Sequence, residues 1–109
     1  MAGRIKLVQG DTRPFIRMTL RDGDGTPINV AGSVVVFKFR ERGALDTLFT
    51  TPCIQPNGGG DGKIVFNFPE GSLDVPPGAY EGEIEIQYGL GDIQTIYDLL
   101  KFTVREQFA

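Results

Sequence analysis

Ala79-Tyr80-Glu81-Gly82-Glu83-Ile84-Glu85-Ile86-Gln87-Tyr88 alternates without a break: Tyr80, Gly82, Ile84, Ile86 and Tyr88 hold the even positions, and Glu81, Glu83, Glu85 and Gln87 hold odd ones. Successive side chains of a strand point to opposite faces, so this period of two sets an apolar face against a core and an acidic face toward water. On a helix both sets would be scattered round the axis. The stretch is a half-buried strand, and the segments on either side are read from it.

Working outward, Gly and Pro divide the chain at regular intervals. Of the 15 Gly and 7 Pro, nine Gly and three Pro gather at Asp22-Gly23-Asp24-Gly25, Pro56 to Gly62, Pro76-Pro77-Gly78 and Gly89-Leu90-Gly91-Asp92, all turn signals. Between them the same periodicity predicts strands near residues 4–9, 14–21, 33–40, 47–54, 63–68 and 93–105, with a short one at 27–30. Helix and strand compete only at Asp98-Leu99-Leu100-Lys101, where the neighbouring Ile96, Tyr97, Phe102 and Val104 favour strand. The alternation slips between Tyr97 and Leu100, which predicts a bulge. Gly89 to Asp92 predicts a hairpin into the last long strand. With no helical stripe, repeat or linker, residues 1–109 read as one all-β domain: an antiparallel sandwich of seven to eight short strands.

A chain of 109 residues removes about two-thirds of its surface from water on folding, enough for one core. The 40% apolar and 23% charged residues place it with ordinary globular chains. A net charge of −3 offers no basic field for nucleic acid or anionic lipid, and neither is expected as a partner. Histidine is absent and Cys53 is the single cysteine, which removes His-dependent triads, the common zinc sets and any intrachain disulfide. The start, Met1-Ala2-Gly3-Arg4-Ile5-Lys6-Leu7-Val8, has no secretory apolar run, so the expected place of synthesis is a cytoplasm.

Each constellation that resembles a chemical site has a plainer reading. Glu81, Glu83 and Glu85 share a face, but glycoside chemistry needs one raised carboxyl in a cleft; a regular acidic row is a solvated surface. Lys38 and Arg40, on the strand expected at 33–40, would pair with it if the two strands are neighbours. Asp22-Gly23-Asp24-Gly25 lacks the bidentate Glu of a calcium loop, since Ser33 stands at the twelfth place. Gly58 to Lys63 lacks phosphate-loop spacing and leads into a strand. Cys53, between Pro52 and Ile54, reads as a small buried apolar residue with no base to activate it. No catalytic, cofactor-binding or metal-binding residue is expected. Contact residues are proposed instead: Arg4 and Lys6 on the N-terminal segment, Val34 and Val36 in a run apolar on both faces, and Phe108 presented to a neighbouring subunit.

Pro76-Pro77-Gly78-Ala79-Tyr80 places a Tyr at the entry to the decisive strand. In immunoglobulin-like sandwiches such a Tyr ties its hydroxyl back to upstream backbone. Gly82 stands where antibody domains carry Cys, and there is no Trp, so the expectation is an Ig-like architecture without the antibody signature. Leu7-Val8-Gln9-Gly10-Asp11-Thr12-Arg13-Pro14, Val35-Val36-Phe37-Lys38-Phe39-Arg40, Pro77 to Ile86 and Ile93-Gln94-Thr95 together resemble the N-terminal domain of the phage baseplate upper protein family, over roughly residues 5–105. The resemblance implies an Ig-like β-sandwich in a tailed-phage virion, in the tail or baseplate, that docks fibre or receptor-binding components through protein contacts and has no cofactor. Longer members continue into receptor-directed modules, whereas this sequence stops at Ala109, so the implied role is a free-standing adaptor. Implied partners are other virion proteins, with the chain as a homo-oligomer or repeated in a symmetric particle. A head decoration protein or a carbohydrate-binding adhesin-like module are the alternatives; the latter wants exposed aromatic platforms, but there is no Trp, and Tyr80, Tyr88 and Tyr97 look partly core-bound. If the Asp-Gly stretches are turns and not ligand loops, excess chelator leaves the thermal unfolding midpoint unchanged, and a lowered midpoint would refute this.

Overall fold

The alternating stretch forms the longest strand of the molecule. In the computed structural model, which describes residues 4–108, the strands are β1 (Ile5–Val8), β2 (Ile16–Thr19), β3 (Val34–Glu41), β4 (Phe49–Pro52), β5 (Lys63–Phe66), β6 (Gly78–Gln87), β7 (Ile93–Thr95) and β8 (Leu100–Arg105). The larger sheet has the order β1-β8-β6-β3-β4, with β7 also paired to β6; β2 and β5 make the second layer. β6 is flanked by β3 on one side and by β8 and then β7 on the other. Its even positions, Tyr80, Gly82, Ile84 and Ile86, are buried. They meet Val35, Phe37 and Phe39 of β3 in the register Ile86 to Val35, Ile84 to Phe37 and Gly82 to Phe39. This is the Ig-like all-β sandwich that the periodicity implies.

Phenylalanine fills the space between the layers. The Phe37 ring stacks on Phe66 of the second layer with centroids 4.0 Å apart, and Phe49, Phe68 and Phe102 meet it edge-on. Such offset and edge contacts add about 0.5–1.5 kcal/mol each to the burial itself. Gly82 makes the arrangement possible. A Cβ there would lie 2.3 Å from a Phe37 ring carbon and 2.9 Å from Phe102, so the place of a side chain in the β6 series is taken by aromatic rings from its neighbours. Tyr80 completes the corner: its hydroxyl donates to the Pro76 carbonyl at 2.5 Å, and its ring stacks on Phe39. Burial, followed by the nearby Glu41 charge, raises the Tyr80 pKa, which keeps the hydroxyl a donor.

The structure departs from the expected strand map in three places. β1 pairs with β8 in parallel, Ile5 opposite Phe102 through Val8 opposite Arg105. No hairpin joins these two strands, so no turn imposes antiparallel direction on them. Residues 27–30 make only an isolated bridge, Arg21 to Pro27. Pro27 has no N–H to give a ladder, and Gly62 lets that segment approach: at φ +75° a Cβ would meet the Leu20 and Ile28 carbonyl oxygens at 2.9 Å. The span 93–105 is two strands, because the chain leaves the ladder at the slip between Tyr97 and Leu100. Ile96 still donates its N–H to Ile84 at 2.9 Å, while Tyr97 beyond it is 95% exposed.

The aromatic centre sets two expectations for urea unfolding. Phe37→Ala removes the ring shared by both layers and should cost about 3–5 kcal/mol. Gly82→Ala adds one methyl where rings already stand and should cost about 1–3 kcal/mol by overpacking. A neutral Gly82→Ala would refute the close approach of Phe37.

Candidate functional site

The outer face of the larger sheet carries the acidic row, and it is largely neutralised. β3 and β6 are neighbours, with Arg40 opposite Glu81 and Lys38 opposite Glu83. Arg40 donates to Glu81 at 2.7 Å, and Lys38 reaches diagonally to Glu85 at 3.1 Å. The pairing expected from sequence therefore exists, as partly exposed bridges of about 0–1 kcal/mol each. Hydrogen bonds from Gln87 and then Lys38 hold the Glu85 carboxyl below its ordinary range. That is the opposite of what a general acid needs. The hollow beside this row, lined by Lys38, Arg40, Thr47, Glu81, Glu83 and Leu99, has a volume of only about 60 Å³, room for a water or two.

The glycine-rich loops hold themselves. Asp22 accepts the backbone N–H groups of Asp24 and Thr26 at 2.9 and 3.0 Å. Asp61 accepts from Asn57 and from the Lys63 N–H, and these bonds lower its pKa. Both carboxylates close turns. Among the described residues no group of three or more His, Cys, Asp or Glu comes together to hold a metal ion. Cys53 packs against the core, and burial pushes its thiol up to about 12, far from the thiolate that a nucleophile requires.

The residues singled out for contact do not converge. Val34 is 53% exposed at one end of β3, opposite Gln87. Val36, on the same outer face, is buried but lies outside the core cluster, so it does not extend an exposed patch as expected. Phe108 is 88% exposed beneath the Arg105 guanidinium. Gln9 latches the segment leading to it, accepting from the Gln107 N–H while donating to the Val75 carbonyl. Arg4 and Lys6 are exposed on either side of Ile5 at the start of β1, and Ile5 lines a feature that periodicity alone did not reveal. Of the three tyrosines, Tyr80 is buried and Tyr88 half-buried, but Tyr97 is free of the core.

That feature is the open side of the sandwich. Among the described residues β2 pairs only with β5 and β1 only with β8. Between the two layers on this side lies a cleft of about 520 Å³, with Ile5, Met18, Leu20, Ile96, Leu99 and Leu100 among its walls and Arg21, Asp98 and Lys101 around it. Its volume falls within the range of ligand pockets, about 300–1,000 Å³. Ile5, Met18, Ile96 and Leu100 are only partly buried against the core. The slip between Tyr97 and Leu100 is the sequence signal for it: where the strand leaves the ladder, Ile96, Leu99 and Leu100 become wall residues.

No protein-family model matches the chain, and no curated protein matches it. Among solved structures it is similar to CopC from Methylosinus trichosporium OB3b, with a TM-score of 0.52 and 12% identity, over 99% of this chain and 89% of that one. At this identity the likeness shows the β-sandwich alone. It corrects the function drawn from the baseplate resemblance: a solved structure that shares the fold is a CopC protein, with nothing pointing to a virion, and the tail, baseplate, head-decoration and adhesin roles are set aside. The physical reason lies in the segments that carried the resemblance. Val35 to Arg40 and Pro77 to Ile86 are the β3–β6 pair and its tyrosine corner, which specify a sandwich and not what it binds.

The position of Cys53 yields a direct test of site chemistry. In the native chain it should react with a thiol reagent at least about a hundredfold more slowly than in urea, because both burial and the raised pKa suppress thiolate. Equal rates in the two states would show an accessible, activated thiol.

Proposed function

We propose that this chain is a non-catalytic binding domain whose ligand occupies the cleft between β1 and β2. One observation carries the reading: beside the aromatic core, partly buried apolar side chains on this side of the sandwich line a space of ligand size. The other chemical groups support it by being occupied elsewhere. Glu81 and Glu85 are ion-paired, Asp22 and Asp61 close turns, and Cys53 is packed.

An anionic apolar dye, anilinonaphthalene sulfonate, tests this, since it matches both the walls and the cations around them. It should bind the native chain saturably at one site. Met18→Gln, close in shape but polar, should weaken binding about tenfold, equivalent to about 1.4 kcal/mol, while the melting temperature moves by less than about 4 °C. Undiminished binding to this variant would place the dye elsewhere and overturn the reading.

A further inference from the structure

Resting on that reading of the cleft, we infer that its occupant is an extended peptide from a protein partner, added as a strand to the free edge of β2, with apolar residues turned into the cleft and acidic residues alternating outside. The backbone of β2 is the first reason. Leu20 donates its N–H to Gly62 at 2.8 Å, and the ladder pairs Met18 with Ile64 and Ile16 with Phe66. Even-numbered residues thus turn their backbone groups toward β5. Arg17 and Thr19 turn theirs the other way, to the open side, where no strand meets β2 among the described residues. A purely apolar ligand would cover those groups without pairing them, at a cost in unmet hydrogen bonds. A peptide strand supplies both partners: its backbone matches the edge and every second side chain enters the space.

Charge selects the peptide's outer face. Met18 lies toward the cleft, while Arg17 is exposed on β2 and Arg21 just beyond its end, and Lys101 is exposed on β8 across from them. Asp98 is the acidic residue in the cleft wall. A strand laid along β2 would place its outward side chains beside Arg17 and Arg21, where opposite charges are favoured across a ladder and like charges are not. This basic border stands out on a chain of net charge −3. A second copy of the chain is a poor source of such a strand. Its own acidic alternating segment is β6, held in the middle of the sheet between β3 and β8.

A blocked peptide of about seven residues alternating Glu and Val, long enough to pair with an ordinary strand, is titrated into the whole chain by NMR. It should bind at least about tenfold more tightly than the Lys–Val counterpart. At saturation it should slow amide exchange at Arg17 and Thr19 by about tenfold or more. Its fully N-methylated form should not bind, and Arg17→Glu with Arg21→Glu should reverse the charge preference. Equal binding of the two charge forms, or of the N-methylated form, overturns the inference, as does exchange protection confined to other strands. Self-association that protects the same two amides would make a second copy the occupant and also overturns it. So would an affinity gain of about tenfold on deleting residues 2–3, which would assign the cleft to the chain's own leading segment. If the dye binds at the cleft but no peptide does, the inference fails and the binding-domain reading stands; if neither binds, both fail.

Discussion

The interaction on which the structure depends is the entry of the Phe37 ring into the space that Gly82 leaves empty. Phe37 belongs to β3 and Gly82 to β6, the two strands at the middle of the larger sheet. The same ring stacks on Phe66 across the layers. One side chain therefore couples the central strand pair to the opposite layer, and the other phenylalanines are placed by reference to it. The Tyr80 corner acts a few residues away, fixing where β6 enters the sheet through its bond to Pro76. Together they make a rigid centre, and the irregular features of the molecule lie at its margins.

The legible part of the sequence was the part governed by which face a side chain must occupy. Alternation at 79–88 specified β6 and its buried set, and the placement of Lys38 and Arg40 beside Glu81 and Glu85 followed once β3 was its neighbour. The slip at Tyr97 to Leu100 was legible as a fault in the strand. What period two does not report is which strand lies beside which, or in what direction. The parallel β1–β8 pair was missed for that reason, since its partners stand far apart in sequence and share no turn. The strand expected at 27–30 does not form, because Pro27 and the close approach at Gly62 hold the segment by a bridge instead of a ladder.

The site was harder to read than the fold. Its wall residues come from β1, β2 and the break before β8, and none of these segments has a motif of its own. Ile5, Met18 and Leu100 look like ordinary core residues in the linear pattern. Only the open edge of β2, which no strand meets among the described residues, and the fault before β8 turn them into a surface. Function was read from segments that encode the sandwich, and a sandwich is compatible with many uses. Arg4 and Lys6, expected as contact residues on the N-terminal segment, flank Ile5, and Ile5 is what links that segment to the cleft.

The pairing of Ile5 with Phe102 also bears on how the molecule assembles. Closing that ladder brings together residues from opposite ends of the chain, a long loop whose entropy must be overcome before the contact returns anything. Contacts of such sequence separation slow folding and tend to form late. The centre around Phe37 can condense first, from the β3–β6 pair, and the first strand can dock onto an existing sheet. Late-forming edges are also the parts that open at least cost in the native state. The margin beside the cleft is then a low-stability unit fastened to a tightly packed nucleus, so breathing there need not disturb the rest.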